Sequence, residues 1–185
     1  MSVYPPPATV TVTALQKLQF FNASMRYMIN INNSAPPPTT LGGDCLPAGG
    51  TETTETERFR FHYILLKNPT NESITVGVFL GGIFSQYRGF SATVFYSRIY
   101  AAWGFTTSEP PTQPTSWTEE VAGDYAVTSD AAGWFDNLNC AWFKAITIPA
   151  QSYLWLRVRG TSWNANGYTN SVGFKKGNVA IIILV

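Results

Sequence analysis

Residues 58–65 read Arg-Phe-Arg-Phe-His-Tyr-Ile-Leu, and their alternation decides the fold. Successive side chains of an extended chain point to opposite sides, so Phe59, Phe61, Tyr63 and Leu65 line one face while Arg58, Arg60 and His62 begin the other. The same period of two recurs outward from this stretch. Thr9, Thr11 and Thr13 alternate with Val10 and Val12, and Met25, Tyr27, Ile29 and Ile31 alternate with Arg26, Asn30 and Asn32. Further β-branched and aromatic runs occupy residues 74–80, 90–100, 121–128, 142–148, 153–159 and 179–185. The i, i+3, i+4 spacing of an amphipathic helix is nearly absent, so the chain reads as all-β, with helix confined at most to one or two turns over residues 129–137.

Turn chemistry separates the strands. Asn68-Pro69-Thr70-Asn71-Glu72 reads as a hairpin connection, because proline fixes φ and asparagine tolerates a left-handed backbone, and Pro149-Ala150-Gln151-Ser152 reads as a second. Residues 35–57 and 106–120 are long loops rich in Pro, Gly and Thr. About eight or nine strands with unequal loops and no repeat predict a two-sheet β-sandwich of jelly-roll type rather than a propeller or solenoid. An immunoglobulin-like sandwich fits less well, since it needs about 100 residues and a Cys, Trp, Cys spacing that is missing here.

The two ends are distinctive. Val3-Tyr4-Pro5-Pro6-Pro7 makes residues 1–7 a stiff, extended arm in front of a single sandwich domain at 8–185. At the other end residues 179–185, Val-Ala-Ile-Ile-Ile-Leu-Val, are apolar on both faces. An exposed edge of that kind invites aggregation, so this strand is expected either at the centre of the sandwich or lent to a neighbour.

Charged residues make up 12% of the chain, against about a quarter in ordinary globular proteins, while aromatic residues reach 15%. Charge keeps a free surface dispersed. A chain that replaces it with Thr, Ser, Asn and aromatic residues is suited to a surface covered by neighbouring subunits. Net charge is +1 but unevenly spread: no acid follows Asp136, while Lys144, Arg157, Arg159, Lys175 and Lys176 all do. That basic end would face the genome, a neighbouring subunit or solvent, and as a nucleic-acid patch it is thin. No secretory leader and no run long enough for a transmembrane segment is present, which predicts synthesis in the cytoplasm.

Candidate chemistry is sparse. His62 is the only histidine, so any catalytic triad would have to be built around it, and a surface or interface role is the simpler reading. Glu52, Glu55 and Glu57 read as a solvated acidic loop, while Glu119-Glu120 and Asp124, Asp130 and Asp136 form no calcium-loop pattern. Gly42-Gly43, Gly49-Gly50 and Gly81-Gly82 lack the context of a nucleotide fingerprint. The residues therefore point to no catalytic site, no cofactor and no metal. Cys45 and Cys140 permit one disulfide or two buried thiols. Trp103, Trp117, Trp134 and Trp163 lie in loop-like sequence and would serve either as interface anchors or as stacking surfaces for sugars.

Taken over its whole length, this helix-poor, Thr-rich, charge-poor chain with a proline-led arm and an apolar terminal strand resembles the single jelly-roll capsid proteins of icosahedral viruses. Its Asn/Thr/Tyr/Ile-rich, Lys-poor composition is similar to coat proteins of viruses that infect thermophilic hosts, including archaea. The resemblance implies a non-enzymatic subunit that assembles with copies of itself, and with other capsid proteins, into a virion formed in the host cytoplasm. Two other readings stay open: an extracellular filament subunit built by strand donation, and a carbohydrate-binding or attachment module using the loop tryptophans.

Overall fold

A computed structural model describes residues 8–9, 19–20, 29–30, 44–129, 131–175 and 178–184. The arm expected at Val3–Pro7 and the alternation over residues 10–13 lie outside the described residues. The elements run β1 (Ala8–Thr9), β2 (Gln19–Phe20), β3 (Ile29–Asn30), β4 (Thr56–Lys67), β5 (Ile74–Arg88), β6 (Ser91–Thr106), β7 (Thr118–Ser129), β8 (Gly133–Ile148), β9 (Tyr153–Asn164), β10 (Asn170–Gly173) and β11 (Val179–Leu184). Every regular element among the described residues is a strand, and the strands form two antiparallel sheets, an all-β sandwich. The described residues of 129–137, where the sequence allows at most one or two helical turns, form no helix. Trp134 and Phe135 belong to β8, where pairing with Tyr87 and Gln86 of β5 overrides the local helix preference of the alanines before them.

The larger sheet has the order β1-β2-β4-β9-β6-β7, with β3 also on β4. In the smaller sheet β5 pairs along its length with β8, which leaves β11 and β10 end to end on its other edge. From β4 to β6 and from β7 to β9 the chain changes sheet at each step, the winding a jelly roll requires; β6 and β7 depart from it as neighbours in one sheet.

The alternation of β4 works as expected at its start: Phe59, Phe61, Tyr63 and Leu65 are all buried between the sheets. There Phe59 stacks on Phe84 of the opposite sheet, 6.1 Å between centroids, and Phe174 meets Phe59, Phe61 and Phe84 edge-on at 5.7–5.8 Å. Gly160, opposite Phe59 in β9, makes room for that ring, since a β-carbon there would come within 2.7 Å of Phe59 Cζ. Farther along β4 the outward side chains His62 and Ile64 are buried as well, and past an irregularity between Ile64 and Leu66 both Leu65 and Leu66 belong to the core.

The two expected hairpins are crossovers. Residues 68–73 carry the chain from β4 in the large sheet to β5 in the small one, and 149–152 carry it back from β8 to β9. They lie side by side, because the Asn68 amide donates to Ser152 O (2.8 Å) and the Gln151 amide to Thr70 O (3.1 Å). Asn68 is fully buried; its Nδ2 donates to Glu72 O, Ile148 O and Pro149 O at 2.8–3.2 Å, and its Oδ1 accepts from the Thr70 amide and hydroxyl. Asn68→Ala would leave these buried groups unpaired, an expected loss of about 1–3 kcal/mol measured by urea denaturation. Asn68→Asp, which keeps the acceptor but loses the amide donors, should be destabilised too.

The terminal strand is not central. Among the described residues β11 pairs only with β5, so it stands at an edge, and it pairs within its own chain. Val179 and Ile181 point into the core while Ile182 and Leu184 point out, which satisfies only one of its two apolar faces.

Candidate interaction surfaces

The outer face of the large sheet is a lattice of compensated charge. Glu119, at the start of β7, accepts from Arg157 Nη2 (2.9 Å) and from Arg159 Nε (2.9 Å) and Nη2 (2.6 Å), both arginines lying in β9. Burial alone would raise the Glu119 carboxyl, but the hydrogen bonds and charges of Arg159 and Arg157 outweigh it and hold the group below its ordinary range. Arg98 reaches Asp124 (3.0 Å) and Glu55 (3.1 Å), and Glu55 also accepts from Tyr100 and Thr161. Arg60 pairs with Glu57, and Arg58 with Glu52 and Asn170. The acidic run 52–57 is thus no solvated loop: each of its three glutamates returns to the sheet and takes an arginine.

The remaining described bases follow the same rule. Lys67 pairs with Glu109, Lys144 with Glu120 (2.5 Å) and Lys175 with Asp136 (2.8 Å). Arg88, buried, bonds Gln86 Oε1 at 3.0 Å and lies over the Phe135 ring at 4.3 Å. Every described lysine and arginine therefore has a partner inside its own chain. That includes Lys144, Arg157, Arg159 and Lys175, which the sequence left open as a basic patch.

The four candidate tryptophans are half-buried and separately engaged. Trp103 and Trp134 sit in β6 and β8 rather than in loops: Trp103 packs on Trp142 (5.9 Å) beneath Lys144, and Trp134 meets Tyr87 edge-on (5.5 Å). Trp163 stacks on Tyr96 at 4.9 Å and lies under Arg98. Trp117 ends the loop after β6 and packs on the outer cluster Ile64, Tyr153 and Trp155, where it lies 5.1 Å from His62 and under Arg157. His62 is consequently buried, not a surface residue, with no hydrogen-bond partner on Nδ1. Its pKa is pushed down to about 4 by burial and then by the charges of Arg157 and Arg60.

Cys45 and Cys140 form no disulfide. Backbone pairing fixes each in its own place, Cys45 on Phe174 and Cys140 opposite Gly82, and burial pushes both thiols up to about 12. Among the described residues no three His, Cys, Asp or Glu side chains come together as a metal site requires, and no helix is long and apolar enough to cross a membrane.

The outer face of the small sheet has the opposite character. Cross-strand register places Phe143, Phe79 and Ile182 in one row, Ala145, Gly77 and Leu184 in the next, and Ala141, Gly81 and Ala180 in the third. None carries a polar side chain. Phe143, Ile182 and Leu184 remain 56%, 46% and 54% exposed. The sequence signal for this face is the doubly apolar 179–185 segment; on β8 the matching residues Ala141, Phe143 and Ala145 alternate with Trp142 and Lys144 and give no apolar run in the linear order.

No family model and no curated protein matches the chain. Among solved structures it is similar to the infectious bursal disease virus VP2 subviral particle, at 10% identity and a TM-score of 0.28, covering 90% of this chain and 46% of that one. The chain thus spans about half the length of that viral protein, and at this score the likeness carries no argument.

Proposed function

We propose that this chain is a structural subunit that assembles with copies of itself, and that the assembly is the shell of a virus particle formed in the host cytoplasm. The observation that carries this reading is the internal pairing of every described base. A protein that recognises nucleic acid must present unneutralised Lys and Arg to phosphates, whereas here eight of the nine described bases are taken by the chain's own carboxylates and the ninth, Arg88, is buried against Gln86 and Phe135. Among the described residues the exposed large apolar side chains include Phe90, Phe143, Ile182 and Leu184, and most exposed acids are already paired with a base of the same chain. Surfaces of that kind associate by burial of neutral area, and they suit identical neighbours or other shell proteins better than a charged partner.

Neutral contacts make a salt prediction. Sedimentation and negative-stain microscopy of purified protein should show closed particles whose yield is nearly unchanged between about 0.1 and 1 M NaCl, where the screening length falls from roughly 10 to 3 Å. Protein that stays monomeric at high concentration in every buffer would end this reading.

A further inference from the structure

We infer that the outer face of the small sheet is a contact between two copies of this chain, packed face to face about a two-fold axis; this deepens the assembly reading and rests on it. The three rows centred on Phe79 form a patch of roughly 250 Å², from three strands at about 4.8 Å spacing over five residues of about 3.4 Å each. The patch is flat. A β-carbon at Gly77 would lie 2.9 Å from Phe143 Cε2, and one at Gly81 would run into the Phe79 ring, so both phenyl groups lie down over glycines instead of standing out as knobs. A level, uncharged surface of rings, alanines and leucine suits another sheet and not a small ligand, which needs concavity and convergent polar groups.

Three observations select a second copy as the occupant. The described anchor points of the N-terminal segment, β1, β2 and β3, all attach to the β4 side of the other sheet. A lipid surface would call for a basic rim, yet Lys144 turns inward to Glu120 and Lys175 is held by Asp136. Finally, a face without charge meets its own image without repulsion, and a two-fold contact needs only that one patch be self-complementary. The area is well below the roughly 800 Å² per partner of a stable pair. Single contacts are therefore weak and depend on being repeated within a larger assembly.

The test is Ile182→Cys in a Cys45→Ser background with a short bis-maleimide cross-linker, which reads the introduced thiol because Cys140 is buried with a raised pKa. Covalent dimer should accumulate as protein concentration rises and in purified particles. Adding Phe143→Lys should reduce it at least tenfold without changing the far-UV circular dichroism or the melting temperature. Particles that give no dimer, or a dimer yield unaffected by Phe143→Lys, overturn the inference while leaving the assembly reading intact. An introduced thiol that stays unreactive in dilute monomer also overturns it, since the chain's own N-terminal segment would then cover the face. Concentration-dependent dimer without particles in any buffer supports the face contact and removes the shell.

Discussion

Phe84→Ala is expected to lower the stability of the fold by about 3–5 kcal/mol, the range for deleting a fully buried phenyl group from a close-packed core. Phe84 of the small sheet belongs to an aromatic cluster with Phe59 and Phe61 of β4 in the large sheet and with Phe174, which follows β10 of the small sheet. Its ring lies parallel to Phe59, with an interplanar angle of 3°, while Phe174 meets it edge-on. The contact with Phe59 crosses between layers, and aromatic pairs in such geometries add to simple area burial. The cavity cannot collapse easily, because Phe59 is seated against Gly160 and Phe61 and Phe174 hold one another at 5.8 Å. Urea unfolding at neutral pH measures the loss; Phe84→Leu, which keeps much of the volume, should lose less than half as much. A loss below about 1 kcal/mol for Phe84→Ala would mean that the two sheets are held together elsewhere.

Acidification should remove on the order of 3 kcal/mol of stability between about pH 6.5 and pH 4, before most carboxylates titrate, through His62 alone. The folded pKa of about 4 lies below the ordinary 6.5, so between these values the unfolded chain binds the proton that the folded chain refuses. Stability therefore rises with pH across that window: the penalty is absent above about 6.5, grows as pH falls, and levels off below 4. The groups around His62 explain the sign. Trp117 and the outer cluster keep water away, Arg157 lies opposite on β9 and Arg60 is two residues along the strand. His62→Gln should flatten the curve in this window and leave untouched the separate loss at lower pH, where Glu52, Glu119, Glu120 and Asp136, all held below their ordinary range, become protonated. Unfolding midpoints at a series of pH values decide the matter. Parallel curves for the two proteins would show that His62 does not carry the dependence.

How far the residues could be read in advance differs from one stretch to the next. In β4 the alternation identified Phe59, Phe61, Tyr63 and Leu65 as core, but not the burial of His62 and Ile64, because Trp117, which packs on that outer side, lies more than fifty residues later in the sequence. Residues 68–72 and 149–152 announced a reversal through their proline and asparagine, yet local turn chemistry does not say which sheet the next strand will join. Glu119 gave no sign of its importance, as Arg157 and Arg159 are 38 and 40 residues away and meet it only when β9 and β7 flank β6. Trp103 and Trp134 sat among glycine and alanine and read as loop residues, whereas strand pairing with β9 and β5 places them in the sheets.

From the order of its residues alone, this chain was legible as all-β, stacked in two layers and poor in charge. Those properties follow from period-two patterning and composition, which need no knowledge of distant neighbours. Only tertiary structure decided that the terminal strand is an edge, that the arginines of β9 are spent on Glu119, and that the apolar row through Phe79 faces outward. Each of these depends on register and layer, and so on contacts between residues far apart along the chain, about which a local pattern carries no information.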